Sequence, residues 1–330
     1  MSTDPTRQAV LDLGPLQVAV RTDEQRVIDY LRAFYTVIED TPERQVTAVI
    51  EARLAEPEPG MGRTRWNVGY RASSDRSVLL CGTELTHLAI TTRKVAREPL
   101  LAFCADRGGL MLHAAALADE QRLVVLVGDA GAGKTSVALN GVLRTRMWLV
   151  SNDHLLLYRD GSRLVATSLP TPIPVKIGTY AGYAAELGRP WHGELTALTD
   201  SWRLSPQQRN DQTVYVTYPH LGQPNPVHVD VARRRVLVAL IDFAAPDEPA
   251  RELGPVPDPV AALWPHVRHD WIESPGTGFD RYLFRSRRSA PEHDRDAQQQ
   301  LRALAATAPV VRWRHHGVLG PLHDWHEEGR

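Results

Sequence analysis

A continuous apolar run, Leu123 to Val127, leads straight into Gly128-Asp129-Ala130-Gly131-Ala132-Gly133-Lys134-Thr135, and a helix-forming stretch follows to about Arg144. Five apolar residues in a row have the length of a strand buried on both faces. Strand, glycine-rich turn and helix in that order confine this part of the chain to an α/β arrangement. The segment satisfies G-x-x-x-x-G-K-[ST] in the context that its mechanism requires. Its glycines let consecutive backbone N–H groups turn inward around phosphate oxygens, and the helix N-terminus adds a positive dipole end. Lys134 is then expected to bridge terminal phosphates and the Thr135 hydroxyl to ligate Mg²⁺. ATP and Mg²⁺ are the expected cofactors, with residues 128–135 and Ser136 as the nucleotide-binding segment; ATP against GTP is left open.

Lysine usage adds weight to this reading. Of 38 basic residues only Lys94, Lys134 and Lys176 are lysines, and the others are arginine. In so arginine-rich a chain a position that stays lysine is a candidate for a specific need, and a compact ammonium rather than a guanidinium is what such a loop uses.

A second signal follows closely. Met147 to Val150 is another apolar run, closed by Ser151-Asn152-Asp153, so that an acid stands 19 positions after Lys134. One helix and one strand fill that gap. A strand adjacent to the one feeding the loop would bring Asp153 near the terminal phosphate, to hold Mg²⁺ or to take the proton of an attacking hydroxyl.

Elsewhere the pattern is coarser. Gln17 to Arg21 reads as a strand, and Thr22 with Gln25 as a capping box ahead of the helical spacing of Val27, Ile28, Leu31, Phe34 and Tyr35. Val46 to Ala52, Trp66 to Arg71 and Val78 to Cys81 read as strands; Val95 to Phe103 reads as a helix that ends before Gly108-Gly109. This glycine pair divides an N-terminal α+β domain, 1–108, from a second domain, 109–330. In the second, Leu110 to Leu117 reads as one strand, and Leu155 to Tyr158 and Leu164 to Thr167 as a hairpin turning at Asp160-Gly161. Val214 to Tyr218, Val227 to Val231 and Val236 to Phe243 read as strands, and Asp258-Pro259 and Ser289-Ala-Pro291 as helix starts.

Composition removes several classes. The 330 residues exceed one ordinary core, and 43% hydrophobic with 23% charged residues matches a soluble globular protein. No apolar run approaches the roughly 18 residues that cross a bilayer, so no membrane is expected. Net charge is −1, which leaves no field to hold a polyanion, so nucleic acid is not the expected partner. Two cysteines, Cys81 and Cys104, and an N-terminus without a charged and apolar leader point to the cytoplasm. Oligomeric state stays open, a homo-oligomer included.

Leu112-His113-Ala-Ala, a turn, the strand, the loop, a helix and then Leu149-Val-Ser-Asn-Asp153 together resemble the C-terminal kinase domain of the HPr kinase/phosphorylase family. There a Leu-His-Gly strand precedes the loop and a Leu-Val-Ala-Asp-Asp segment follows it. The likeness is specific over residues 110–160 and weaker to about 245. It implies an α/β P-loop kinase domain of the HPr kinase/phosphoenolpyruvate carboxykinase type, with His113 and Asp153 in the active site. Arg235, opening Arg-Val-Leu-Val-Ala-Leu-Ile-Asp-Phe, would fall on the arginine of the family's Pro-Gly-Arg-Asn segment. Two departures matter. Asn152-Asp153 stands where the family has paired aspartates, and an amide cannot take a proton from a hydroxyl. Pro174-Val-Lys-Ile-Gly178 stands where the family carries Glu-Val-Arg-Gly, leaving Lys176 as the basic residue. Both argue against the protein HPr as substrate. The chain is more similar to HPr-kinase-like enzymes of natural-product pathways, including those that phosphorylate lasso peptides.

The expected activity is transfer of the γ-phosphoryl group of ATP to a hydroxyl of a small natural-product intermediate or a peptide, with Asp153 as base or metal ligand and His113, Lys176 and Arg235 as contacts. The alternatives are a nucleotide-sensing regulatory protein without phosphoryl transfer, and a protein serine kinase. Arg233 to Arg235 and Arg281, Arg285, Arg287 and Arg288 read chiefly as solvated surface. His315, His316, His323 and His326 meet no strict zinc spacing, and Trp264, Trp271, Trp313 and Trp325 read as core rather than base-stacking residues.

Overall fold

The computed structural model describes residues 7–38, 46–74, 76–191, 212–223, 227–244, 247–269, 271–272 and 288–319. The chain is mixed α/β. Strands β1 (Arg7–Asp12), β2 (Gln17–Thr22), β3 (Thr36–Ile38), β4 (Ala48–Leu54), β5 (Gly62–Arg63), β6 (Gly69–Ser74) and β7 (Ser77–Gly82) form one sheet in the order β3-β1-β2-β4-β7-β6-β5. Its centre, β2-β4-β7, is parallel. Helix α1 (Gln25–Arg32) buries Val27, Ile28 and Leu31, as its spacing requires. The expected capping box is absent: Glu24 is the N-cap, and the Thr22 hydroxyl accepts from Glu24 N at 3.1 Å instead of from the first turn. The helix expected over Val95 to Phe103 is two, α2 (Leu85–Ala96) and α3 (Glu98–Asp106), joined at Arg97 with Pro99 in the first turn of α3. Lys94 on α2 is buried with its ammonium 3.9 Å from the Trp66 ring centroid, a cation–π contact.

The expected single strand Leu110 to Leu117 is broken in two. β8 (Leu110–Leu112) lies at the edge of a four-stranded sheet with β12 (Leu155–Asp160), β13 (Arg163–Ser168) and β16 (His228–Asp230), in the order β16-β13-β12-β8. β9 (Ala114–Ala118) belongs to a six-stranded sheet with β10 (Arg122–Val127), β11 (Trp148–Ser151), β17 (Arg235–Phe243), β18 (Arg251–Pro255) and β19 (Val310–His315), in the order β11-β9-β10-β17-β19-β18. His113 is the residue at the break. A short ladder of β14 (Ile173–Lys176) and β15 (Thr213–Val216) packs with helices α4 (Lys134–Arg144), α5 (Ile177–Gly182) and α6 (Ala184–Leu187) on one face of the six-stranded sheet. Helices α7 (Pro259–Leu263) and α8 (Ala290–Thr307) pack on its other face. Both start where expected: the Asp258 carboxylate accepts from Ala261 N at 3.0 Å, and Ser289 with Glu292 forms a capping box.

Alternation along the strands builds three stacked cores. Leu155 and Leu157 face the six-stranded sheet, whereas Leu156 and Tyr158 face the core of the N-terminal sheet, α2 and α3. On β9, Ala114, Ala116 and Ala118 face the four-stranded sheet, and Ala115 and Leu117 face α4. The four-stranded sheet is thus shared between two cores, which explains its near-unbroken apolar composition. Among the described residues, no helix is long and apolar enough to cross a membrane.

Gly141 sits inside α4, where glycine costs about 1 kcal/mol relative to alanine. A Cβ there would lie 2.5 Å from Leu117 Cδ1 and 3.0 Å from Leu319 Cδ2. Overpacking of this kind costs about 1–3 kcal/mol, enough to outweigh the propensity gain. Gly141→Ala is therefore expected to lower the urea midpoint, while Gly182→Ala, with open space around its Cβ, leaves it unchanged or raises it. A stabilising Gly141→Ala would show that α4 does not pack this closely.

Candidate functional site

The glycine-rich loop leaves the C-terminal end of β10. Parallel pairing sets Val127 opposite Leu240, so the next residue, Gly128, runs against β17: a Cβ there would lie 2.7 Å from the Ile241 carbonyl oxygen. Gly133, at φ +86°, enters α4, and a Cβ on it would meet His315 Cε1 at 2.5 Å and the Phe243 ring at 2.6 Å. Both glycines are dictated by close approach. Lys134 is buried at the start of α4, and its ammonium donates to the carbonyls of Gly128 at 2.7 Å and Asp129 at 3.1 Å. Burial lowers its pKa from the usual lysine value, opposed by the charges of Asp153 and Asp129.

His113 and Asp153 come together because the chain crosses between the same two sheets at both places. In the four-stranded sheet Leu112 is opposite Leu155, and in the six-stranded sheet Ala116 is opposite Ser151. The crossing residues are then adjacent, with His113 Nε2 2.9 Å from Asp153 Oδ1. His154 Nε2 lies 3.5 Å from the other carboxylate oxygen. Burial works to raise the Asp153 pKa. The hydrogen bond from His113 and the positive fields of His154, His113 and Arg268 overcome that and hold it well below the ordinary carboxylate range. Burial pushes the His154 imidazole down to about 4, although Asp153 opposes the shift.

A cavity of about 500 Å³ unites the two halves. Ala130, Gly131, Gly133, Lys134, Thr135 and Ser136 form one wall, His113, Asn152 and Asp153 another, and Pro174, Lys176, Thr179, Thr213 and Phe243 the rest. Gly128, Asp129 and Ala132 line instead a second cavity of about 350 Å³, beside Asp242, His266, Arg312 and Arg314. Asn152 is buried, and its side-chain oxygen has no hydrogen-bond partner among the described residues.

Two expectations are corrected here, and a third group, His315, finds its place. β11 is not adjacent to β10, since β9 lies between them; Asp153 reaches the loop through the crossover, not through a neighbouring strand. Arg235 is outside the site. It pairs with Arg122 at the N-terminal end of β10, whereas the loop leaves the C-terminal end, so parallel pairing holds the two apart. His315 is not available to a metal. It is fully buried, its Nε2 lies 2.8 Å from the Ala132 carbonyl and its Nδ1 accepts from Gly317 N at 2.8 Å, the pattern of a neutral ring bracing the loop. Burial lowers its pKa, in line with that tautomer.

Arg233 and Arg234 pair with Asp230 and the Asp119 carbonyl, away from the cavity, and Arg288 lies beside Glu292 and Asp296. Trp271 and Trp313 are core residues, as expected. Arg281, Arg285, Arg287, His323, His326 and Trp325 lie outside the described residues. Thr179, Thr213, Phe243 and the bracing His315 were not legible as site residues. Thr213 enters as the register partner of Lys176, and His315 through β19, for which Val310-Val311 after Pro309 was the available signal.

Comparison of the chain with models of known protein families gives no match, and no curated protein matches it.

The site carries a pH signature. A histidine held neutral in the folded state binds its proton more readily once unfolded, so between about pH 6.5 and about pH 4 the unfolded chain carries more protons and stability rises with pH. His154 alone is expected to contribute on the order of 3 kcal/mol across that window, and His315 acts with the same sign. His154→Gln should flatten the fall of the urea midpoint on acidification. An unchanged slope would mean that His154 is not held neutral.

Proposed function

We propose that the chain is an ATP-dependent kinase that transfers the γ-phosphoryl group to a hydroxyl of a small natural-product intermediate or a peptide in the cytoplasm. The observation that carries this reading is the shared cavity: a glycine-rich loop with Lys134 and Thr135 faces a carboxylate, Asp153, held by His113. The family resemblance over residues 110–160 supports it, as does a buried lysine already bonded to loop carbonyls.

The residues present fit the cofactors. Gly131, in the cavity wall at φ +88° with open space where a Cβ would stand, leaves the loop backbone bare there, as phosphate binding requires. The Thr135 hydroxyl and the ionised Asp153 carboxylate are hard oxygen donors of the kind Mg²⁺ takes. ATP with Mg²⁺ supplies the phosphoryl group and neutralises its charge. The protein's own part is positioning and electrostatics. Lys134 and the loop amides orient the phosphates; His113 fixes one oxygen of Asp153; Asp153 stays ionised at neutral pH, to hold the cation or to accept the hydroxyl proton; Lys176, across the cavity, contacts the acceptor. Arg235 has no part in this account.

A second reading, a nucleotide-sensing protein without phosphoryl transfer, draws on Asn152. An amide whose buried oxygen has no hydrogen-bond partner among the described residues stands where the resembled kinases have an aspartate. A protein serine kinase would use the same groups on a larger acceptor.

Asp153→Asn keeps shape and removes charge, and is expected to retain most nucleotide affinity while lowering turnover at least about a hundredfold. Lys134→Ala is expected to lose measurable ATP binding by calorimetry with the fold intact. Unchanged affinity would contradict the nucleotide site. An inactive parent whose Asn152→Asp variant transfers phosphoryl groups would establish the sensor reading instead.

A further inference from the structure

Away from this cavity, three potential metal ligands converge from two elements. We infer that His269, His293 and Asp294 bind a zinc-like divalent ion that ties the segment following α7 to the first turns of α8. Their ligand atoms all lie within 4.8 Å of one another. His269 Nδ1 is 3.1 Å from Asp294 Oδ1, and the His269 and His293 rings meet edge to face with centroids 5.8 Å apart. A tetrahedral zinc with bonds near 2.0–2.1 Å needs ligand atoms roughly 3.3 Å apart, a contraction within reach of small side-chain rotations.

Each ligand is placed by structure that precedes any ion. The Ser289–Glu292 capping box fixes the first turn of α8, and His293 N continues it by bonding to the Ser289 carbonyl at 3.0 Å. His269 follows a segment laid along β8: Val267 bridges to Leu112, Arg268 N donates to the Met111 carbonyl and His113 N to the His266 carbonyl, both at 2.8 Å. Trp264 and Trp271 pack edge-on against His269 and His293, each with centroids 5.3 Å apart. An ion pair between His269 and Asp294 accounts for those two groups. Beside them stands the buried His293 imidazole, whose ring meets those of both His269 and Trp271, and the convergence of the three ligand atoms is what a metal uses.

The chemistry selects the ion. Two imidazoles and one carboxylate suit zinc rather than magnesium or calcium, which prefer all-oxygen sets. With the His269 and Asp294 side chains 39% and 48% exposed, solvent can supply the fourth ligand. The site's effect follows from its position. The segment it clamps supplies the carbonyl that binds the His113 backbone, so an ion here would steady one edge of the Asp153 cavity. The inference stands independently of the nucleotide reading, because no residue of that cavity is a ligand.

The test uses the full chain, stripped with a chelator and titrated with Zn²⁺. About one equivalent should survive desalting, Co²⁺ should give the visible absorption of a tetrahedral site, and zinc should raise the thermal midpoint by mass action. His269→Ala and Asp294→Asn alter half-exposed side chains, so both variants should fold as the parent does without metal, yet each should weaken zinc binding at least about tenfold. His316→Ala, whose ring lies 2.8 Å from the Glu248 carbonyl instead, should bind zinc as the parent does. No retained zinc in the parent, or equal retention in the His269→Ala and Asp294→Asn variants, would overturn the inference.

Discussion

The parallel pairing of β10 with β17 is the constraint on which the site depends. It ends with Val127 opposite Leu240, and the next residue passes so close to the Ile241 carbonyl that no side chain fits. The direction in which the loop leaves the sheet is therefore set by backbone against backbone, a contact with little room for adjustment. On the far side of the loop β19, parallel to β17, carries His315 to the Ala132 carbonyl. Phe243, at the end of β17, packs against that imidazole with centroids 4.6 Å apart and the ring planes tilted by 45°. A loop held from both sides presents Lys134 and Thr135 to the cavity.

Two crossings between the same pair of sheets supply the other half. Because β8 pairs with β12 and β9 with β11, His113 and Asp153 are forced together, although 40 positions separate them in sequence. The burial that makes the carboxylate costly is offset by the His113 hydrogen bond and the surrounding positive groups. Without that bond burial would meet less opposition, and the Asp153 pKa would sit higher than it does. The layered cores matter for the same reason. Leu155, Leu156 and Leu157 are locked by packing on both faces of their sheet, leaving the crossing residue before them little freedom.

Much of this was legible because the chemistry was local. Strand, loop and helix over residues 123–144 follow from one apolar run and one glycine pattern, and Lys134, Thr135, Asp153, His113 and Lys176 do share a cavity. What sequence could not supply was pairing between distant segments. The break at His113 is hidden in the unbroken apolar run Leu110 to Leu117, which reads as one strand whichever sheet its halves join. Arg235 was misplaced because a motif fixes which strand a residue opens, not which end of its neighbour it meets. His315 braces the loop because β19 inserts between β17 and β18, a placement without local signature.

The most direct test of the central claim is to follow the γ-phosphoryl group itself. The protein, ATP and Mg²⁺ would be incubated with a metabolite and peptide extract of the source organism, and the products searched by mass spectrometry. The account predicts a compound that gains one phosphoryl group on a hydroxyl, in step with ADP release, and that is absent when Lys134→Ala replaces the parent. Nucleotide binding with no phosphorylated product and no ADP formed in any extract would contradict it.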